Sequence, residues 1–226
     1  MDLQGRQMFM NSKKFNVYKN AVYFDIASGI LLIAGLVVGL VLGLNSEVKI
    51  ASSSILNTTL AVLVFEIILL IYVTVKYDFY TAFTIVLAVL HNVMLTVALV
   101  CIFRIPVTDS LTTAIMIVTG LTAVNLFILF AGKPDYKSTT NRESMVNDLV
   151  SSKLKTLVLL NCTILVTVIA MIFTFNTNIV MLVRPLLIGI VVTFYSTVFM
   201  CAPFCGYFIK EKKQRKQVDL EQDYVK

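Results

Sequence analysis

The sequence predicts an all-α membrane protein, a bundle of six transmembrane helices with both termini on the cytoplasmic side. Three observations carry this expectation: the composition, the length of the apolar runs and the distribution of Lys and Arg between the connections. Of 226 residues, 58% are hydrophobic and 14% charged, whereas a soluble domain has about half its residues apolar and about a quarter charged. The excess sits in six runs, at about 23–44, 55–75, 79–102, 110–131, 156–175 and 179–208. Each is near or beyond the roughly 20 residues that cross a bilayer core as a helix. None shows the strict alternation of a membrane barrel strand. A backbone in lipid must satisfy its own hydrogen bonds, so each run is expected to be a helix.

The net charge is +6, and its distribution is more informative than its sum. Fifteen of the nineteen basic residues fall in three blocks: the leader 1–22, the segment 133–155 and the tail from Lys210 onward. With Lys76 they mark one side of the membrane. The opposite connections carry only Lys49 and Arg104, with Arg184 just inside the sixth run. By the positive-inside rule the rich side is cytoplasmic. The leader (1–22) and the tail (209–226) are expected to be cytoplasmic segments flanking the membrane domain (23–208). Basic residues beside spans suit anionic lipid headgroups, and nucleic acid is not expected as a partner. The first run is about 21 residues long behind a polar leader, without a small-x-small exit. It reads as a retained span rather than a signal peptide.

Taken in order, each run carries a few residues that its apolar character does not explain. In the first, Gly35, Gly39 and Gly43 form a small-xxx-small ladder that permits close approach to another helix, in this chain or in a partner. In the second, Glu66 lies mid-span, where a carboxyl group is costly and faces a bundle interior or water. It is either a proton-carrying site or a hydrogen-bonded structural group, and a relay needs a second group that the sequence does not clearly supply. In the third, His91 and Asn92 offer an imidazole that titrates near neutrality when free, or else a polar cluster with Asn125.

In the fourth run Thr119, Thr122 and Asn125 are three apart and share one side of a helix. In the fifth, Asn161, Thr163 and Thr167 are read the same way, and in the sixth Thr193, Ser196 and Thr197. Such hydroxyls and amides join helices by hydrogen bonds worth about 0.6 kcal/mol each. Between the fourth and fifth runs, Gly132-Lys133-Pro134-Asp135 is a helix-ending signal, and the segment 132–155 is expected to be the one sizeable soluble element. The four cysteines, Cys101, Cys162, Cys201 and Cys205, lie in or beside apolar runs, which fits buried thiols and neither a disulfide framework nor a metal site. No nucleophile-base set or phosphate loop is present, so neither an enzyme nor a cofactor is expected.

The sixth run reads Pro185-Leu-Leu-Ile-Gly189-Ile-Val-Val-Thr193-Phe-Tyr195-Ser196, with Pro203 beyond. Ile71-Tyr72 precedes Lys76-Tyr77-Asp78-Phe79, and Leu87-Ala88-Val89-Leu90-His91-Asn92-Val93 lies in the third run. Pro106-Val107-Thr108-Asp109 and then Gly120 follow. This pattern resembles the membrane half of the SecF family of bacterial protein-export subunits, over most of residues 15–207. Residues 18–28 and Gly43-Leu44-Asn45 resemble the entry and exit of that family's first span. In the sixth span Gly189, Tyr195, Ser196 and Pro203 fall in register with the family.

The resemblance implies a subunit that acts with a SecD-like partner beside the SecYEG channel in the inner membrane. The departures imply a reduced form. Residues 46–54 stand where the family places a folded extracytoplasmic domain, and Asn92 and Asn125 stand where it has acidic groups. Glu66, His91, Asn92 and Asn125 are therefore the candidate polar path. Gly35, Gly39, Gly43, Gly120, Gly189, Tyr195, Ser196 and Pro203 are the candidate packing or partner-facing residues. A repurposed membrane adaptor, or a proton-coupled transporter, are the alternative functions.

Overall fold

In the computed structural model, the residues described are 16–41, 52–77, 79–131, 142–174 and 176–208. All regular structure among them is helical: α1 (Val17–Val41), α2 (Ser52–Lys76), α3 (Phe79–Ile102), α4 (Asp109–Phe130), α5 (Arg142–Met171), α6 (Thr177–Tyr195) and α7 (Ala202–Phe208). A short 3₁₀ turn, Ile172–Thr174, ends α5, and a π-helical segment, Ser196–Cys201, joins α6 to α7. Among the described residues, six helices, counting α6 through Tyr207 as one, are long and apolar enough to cross a membrane.

The central helices are α3, α4 and α6. α3 packs against α1, α2, α4 and α6, while α4 packs against α6, α3, α5 and α2. Consecutive helices run antiparallel, so the start of α1, the end of α2, the start of α5 and the end of α7 meet at one end of the bundle. There Val17, Val73, Ala82, Phe130, Val146 and Cys205 belong to one buried cluster. The opposite end is closed by smaller clusters around Val118, Val183 and Ile190, and around Val100, Val107 and Leu111.

α5 starts at Arg142, upstream of the apolar run expected from about residue 156. Its first turns bury Met145, Val146, Leu149 and Val150, a helical stripe within a segment whose polar residues read as a loop. Asn147 on that stretch ties α5 to α1. Its Oδ1 accepts from the Val17 amide at 2.9 Å and the Tyr18 amide at 3.4 Å, while its Nδ2 donates to Asn16 Oδ1 at 3.0 Å. Asn16 also donates to Glu143 and accepts from the Lys19 amide. These bonds supply partners for N–H groups that the first turn of any helix leaves open.

Two irregularities have local causes. α3 ends through Arg104, at φ 53°, with Arg104 N–H bonded to Cys101 O and Ile105 N–H to Val100 O, both at 3.1 Å. That is the left-handed helix end usually given to glycine. The π segment precedes Pro203, which has no N–H to offer and whose ring crowds the carbonyl four residues earlier. The chain widens there instead of continuing as a tight helix.

Candidate functional site

Part of the buried polar set lies where α3, α4, α5 and α6 pack together. α3 supplies Asn92, α4 supplies Thr122 and Asn125, α5 Asn161, α6 Thr193 and the π segment Ser196, all buried. Asn92 Nδ2 donates to Thr122 Oγ1 and, at 2.8 Å, to Thr193 Oγ1. The Thr122 and Thr193 hydroxyls are 3.2 Å apart, so one amide and two hydroxyls lock three helices together. One turn further along α4, Asn125 and Asn161 exchange reciprocal amide bonds at 3.1 and 3.0 Å, and Asn161 Nδ2 also reaches Leu157 O at 2.8 Å. The layer is electrically neutral.

Packing glycines let helices approach closely between α1 and α3 and between α4 and α6. A Cβ on Gly35 would run into Ala98, backbone included, and one on Gly189 would run into the Val118 side chain. Gly35 thus meets α3 of its own chain. Gly39 lies at ordinary contact, its Cβ position 3.7 Å from Cys101 Sγ, and Gly120 has nothing within 4 Å. Gly43 lies outside the described residues. Tyr195 donates from its hydroxyl to Phe24 O at 2.6 Å, and its ring meets Phe24 and Phe199, fastening α1 to α6. Pro203 is buried in the first turn of α7.

The two ionisable candidates stand apart from this layer. Glu66 sits in the inward stripe Val62, Glu66, Leu69 and Val73 of α2, 4% exposed, and neither carboxyl oxygen has a hydrogen-bond partner. His91 likewise has no partner on either ring nitrogen. It lies seven residues, two helical turns, before Ala98 and so on the α1 side of α3. The two groups are therefore not bonded to each other. Thr163 and Thr167 do not share the inward face with Asn161. They are exposed, and each bonds a carbonyl of its own helix at 2.8 and 2.9 Å.

Sequence reasoning missed the Asn16–Asn147 tie, the Phe24–Tyr195 contact and Asp25, whose Oδ1 is buried without a partner. Asp25 falls inside the first apolar run, and its charge type was the available signal.

The family described as "Protein export membrane protein SecD/SecF, C-terminal" matches residues 48–211, which takes in α2 through α7. The chain belongs to this SecD/SecF family. It is also similar to the Protein translocase subunit SecF of Sebaldella termitidis, at 25% identity over 165 residues. That alignment covers 71% of this chain and 54% of the relative, so the chain spans about half the length of the curated relative it matches. Family membership and six helices of membrane-crossing length make it a multi-pass protein of the bacterial inner membrane.

Proposed function

We propose that this chain is a SecF-like accessory subunit of the protein-export machinery, non-enzymatic, acting with a SecD-like partner beside the SecYEG channel. The observation that carries the reading is the family match across residues 48–211, five of the six membrane-crossing helices. The basic segments face the cytoplasm and anionic lipid in this reading, with both termini on that side. The Asn92 and Asn125 layer supports a subunit without its own proton relay, because its amides are bonded to neutral groups and carry no exchangeable charge. With residues 46–54 in place of a folded extracytoplasmic domain, contact with emerging substrate falls to the partner.

A membrane adaptor built on the same scaffold is the second reading. It is favoured by the same neutrality, since packing residues are kept where ionisable ones are not. Crosslinking of a tagged copy in native membranes, followed by mass spectrometry and an export assay on a deletion strain, separates the two. Recovery of a SecD-like protein or SecYEG with an export defect is the expected result. Normal export and an unrelated complex would establish the adaptor.

A further inference from the structure

Lys76, the last residue of α2, is an exposed cation whose ammonium group is held in place. Its Nζ lies 5.7 Å from the centroid of the Tyr72 ring and 5.7 Å from that of Tyr77. It also donates to the Tyr72 hydroxyl at 3.4 Å. A cation over aromatic faces is attracted by the ring quadrupoles. The rings are themselves anchored. Tyr72 meets Phe127 of α4 edge to face, with centroids 5.7 Å apart at 90°, and both Tyr77 and Phe127 pack against the buried cluster at this end of the bundle. Among the described residues no carboxylate reaches the ammonium group.

The clamp leaves donors open. An ammonium group has three hydrogens, and the bond to Tyr72 uses one. The Tyr72 hydroxyl accepts that bond and keeps its own proton to give. Two donors 3.4 Å apart, both on exposed side chains, suit the oxygens of one phosphate group. An apolar face leads away from them. Ile68 and Tyr72 stand two turns and one turn before Lys76 on one side of α2, and Ile68, Ile71 and Val75 are all exposed. Across the turn Phe79, Tyr80 and Phe83 of α3 are exposed as well, with Phe79 in ring contact with the other two. Such rings settle at the headgroup level of a bilayer.

We propose that Lys76 and the Tyr72 hydroxyl bind the phosphate of an anionic phospholipid, whose acyl chain lies along Ile68 and Ile71. A free phosphate would leave that apolar face unused. A zwitterionic headgroup would bring its own cation beside Lys76, and like charges oppose each other. The fixed ammonium group separates this site from the diffuse attraction of the other basic residues, because a side chain already held in place loses less freedom on binding. The inference needs only a headgroup layer at this end of the bundle, so it is independent of the export reading.

Native mass spectrometry of the full chain in detergent, titrated with phosphatidylglycerol and with phosphatidylcholine, tests it. The first phosphatidylglycerol is expected to bind about five-fold more tightly than the first phosphatidylcholine, the ratio given by roughly 1 kcal/mol from one basic residue at an anionic surface. Lys76→Gln should abolish the preference. Tyr72→Phe, which keeps the ring against Phe127, should weaken phosphatidylglycerol about three-fold. Lys155→Gln, at an exposed lysine of α5, should leave it unchanged. Absence of a preference in the wild-type chain overturns the inference, and that measurement decides alone where a variant does not fold. Equal losses in Lys76→Gln and Lys155→Gln show diffuse attraction and overturn it too. Displacement of phosphatidylglycerol by an equal concentration of inorganic phosphate shows an anion site without a lipid and overturns it as well.

Discussion

The neutral polar layer shared by α3 to α6 and the buried carboxyl group of α2 are handled in opposite ways. On α3, α4 and α6, where 44–50% of the most apolar stretch is buried, Asn92, Thr122, Asn125 and Thr193 are bonded across helix boundaries. On α2, where the share is 22%, the buried Glu66 carboxyl group has no partner. Each neutral amide was matched by a second group from a neighbouring helix, while the acid was left facing apolar side chains. The amide layer therefore holds the bundle together, and Glu66 contributes nothing to that by hydrogen bonding.

The largest expected effect breaks the seam that holds α1 against α3. Gly35→Leu drives a branched side chain into the Ala98 backbone, and forcing such overpacking costs about 3 kcal/mol. A fall in the folded fraction recovered from membranes, read by size-exclusion profile and thermal melting, would show it; a wild-type melt would mean that α1 is not held against α3.

Next is the amide pair. Asn125→Leu strands the Asn161 amide and should cost about 2 kcal/mol, and the double change Asn125→Leu with Asn161→Leu should recover most of it. A double-mutant cycle measures the coupling, and additive losses would sink the view that the pair acts as a unit. Gly189→Ala meets the Val118 methyl groups rather than backbone, so about 1 kcal/mol is expected, relieved by Val118→Ala in the same background.

Glu66→Gln keeps the shape and removes no hydrogen bond, so a change within about 0.5 kcal/mol is expected. A loss of export without a loss of stability in that variant would sharpen the comparison, since it would assign the acid to function and the amides to structure. The smallest effect is Gly120→Ala. Nothing lies within 4 Å of the new methyl, and helix propensity alone should stabilise by about 0.5 kcal/mol.

The six membrane-crossing helices were legible because apolar length and the need to satisfy the backbone in lipid leave few alternatives. Asn92, Asn125 and Asn161 were legible as interior groups because an amide in a span has to find a partner. Their pairing was not, since it depends on which helices become neighbours. The glycines show the same limit. Gly35 and Gly120 are indistinguishable by type, yet one is pressed against backbone and the other is not, and only the packing decides. The early start of α5 was hidden because Ser, Asn and Asp dominate residues 144–152 while the buried stripe among them is short. The π segment follows from Pro203, which was noticed for its register and not for what it does to the preceding turn.

The tie between Asn147 and the start of α1 bears on the order of assembly during synthesis. The Val17 amide and its acceptor are 130 residues apart in the chain. A ribosome adding about 5–20 residues per second takes roughly 10 s to make that stretch. The first helix therefore enters the membrane with its Val17 and Tyr18 N–H groups open to headgroups and water, and they are closed off only when the fifth helix arrives. The Gly35–Ala98 seam fixes α1 once α3 has been made, so it is the first turn of α1 that is closed late, by a residue translated after four spans are already in place.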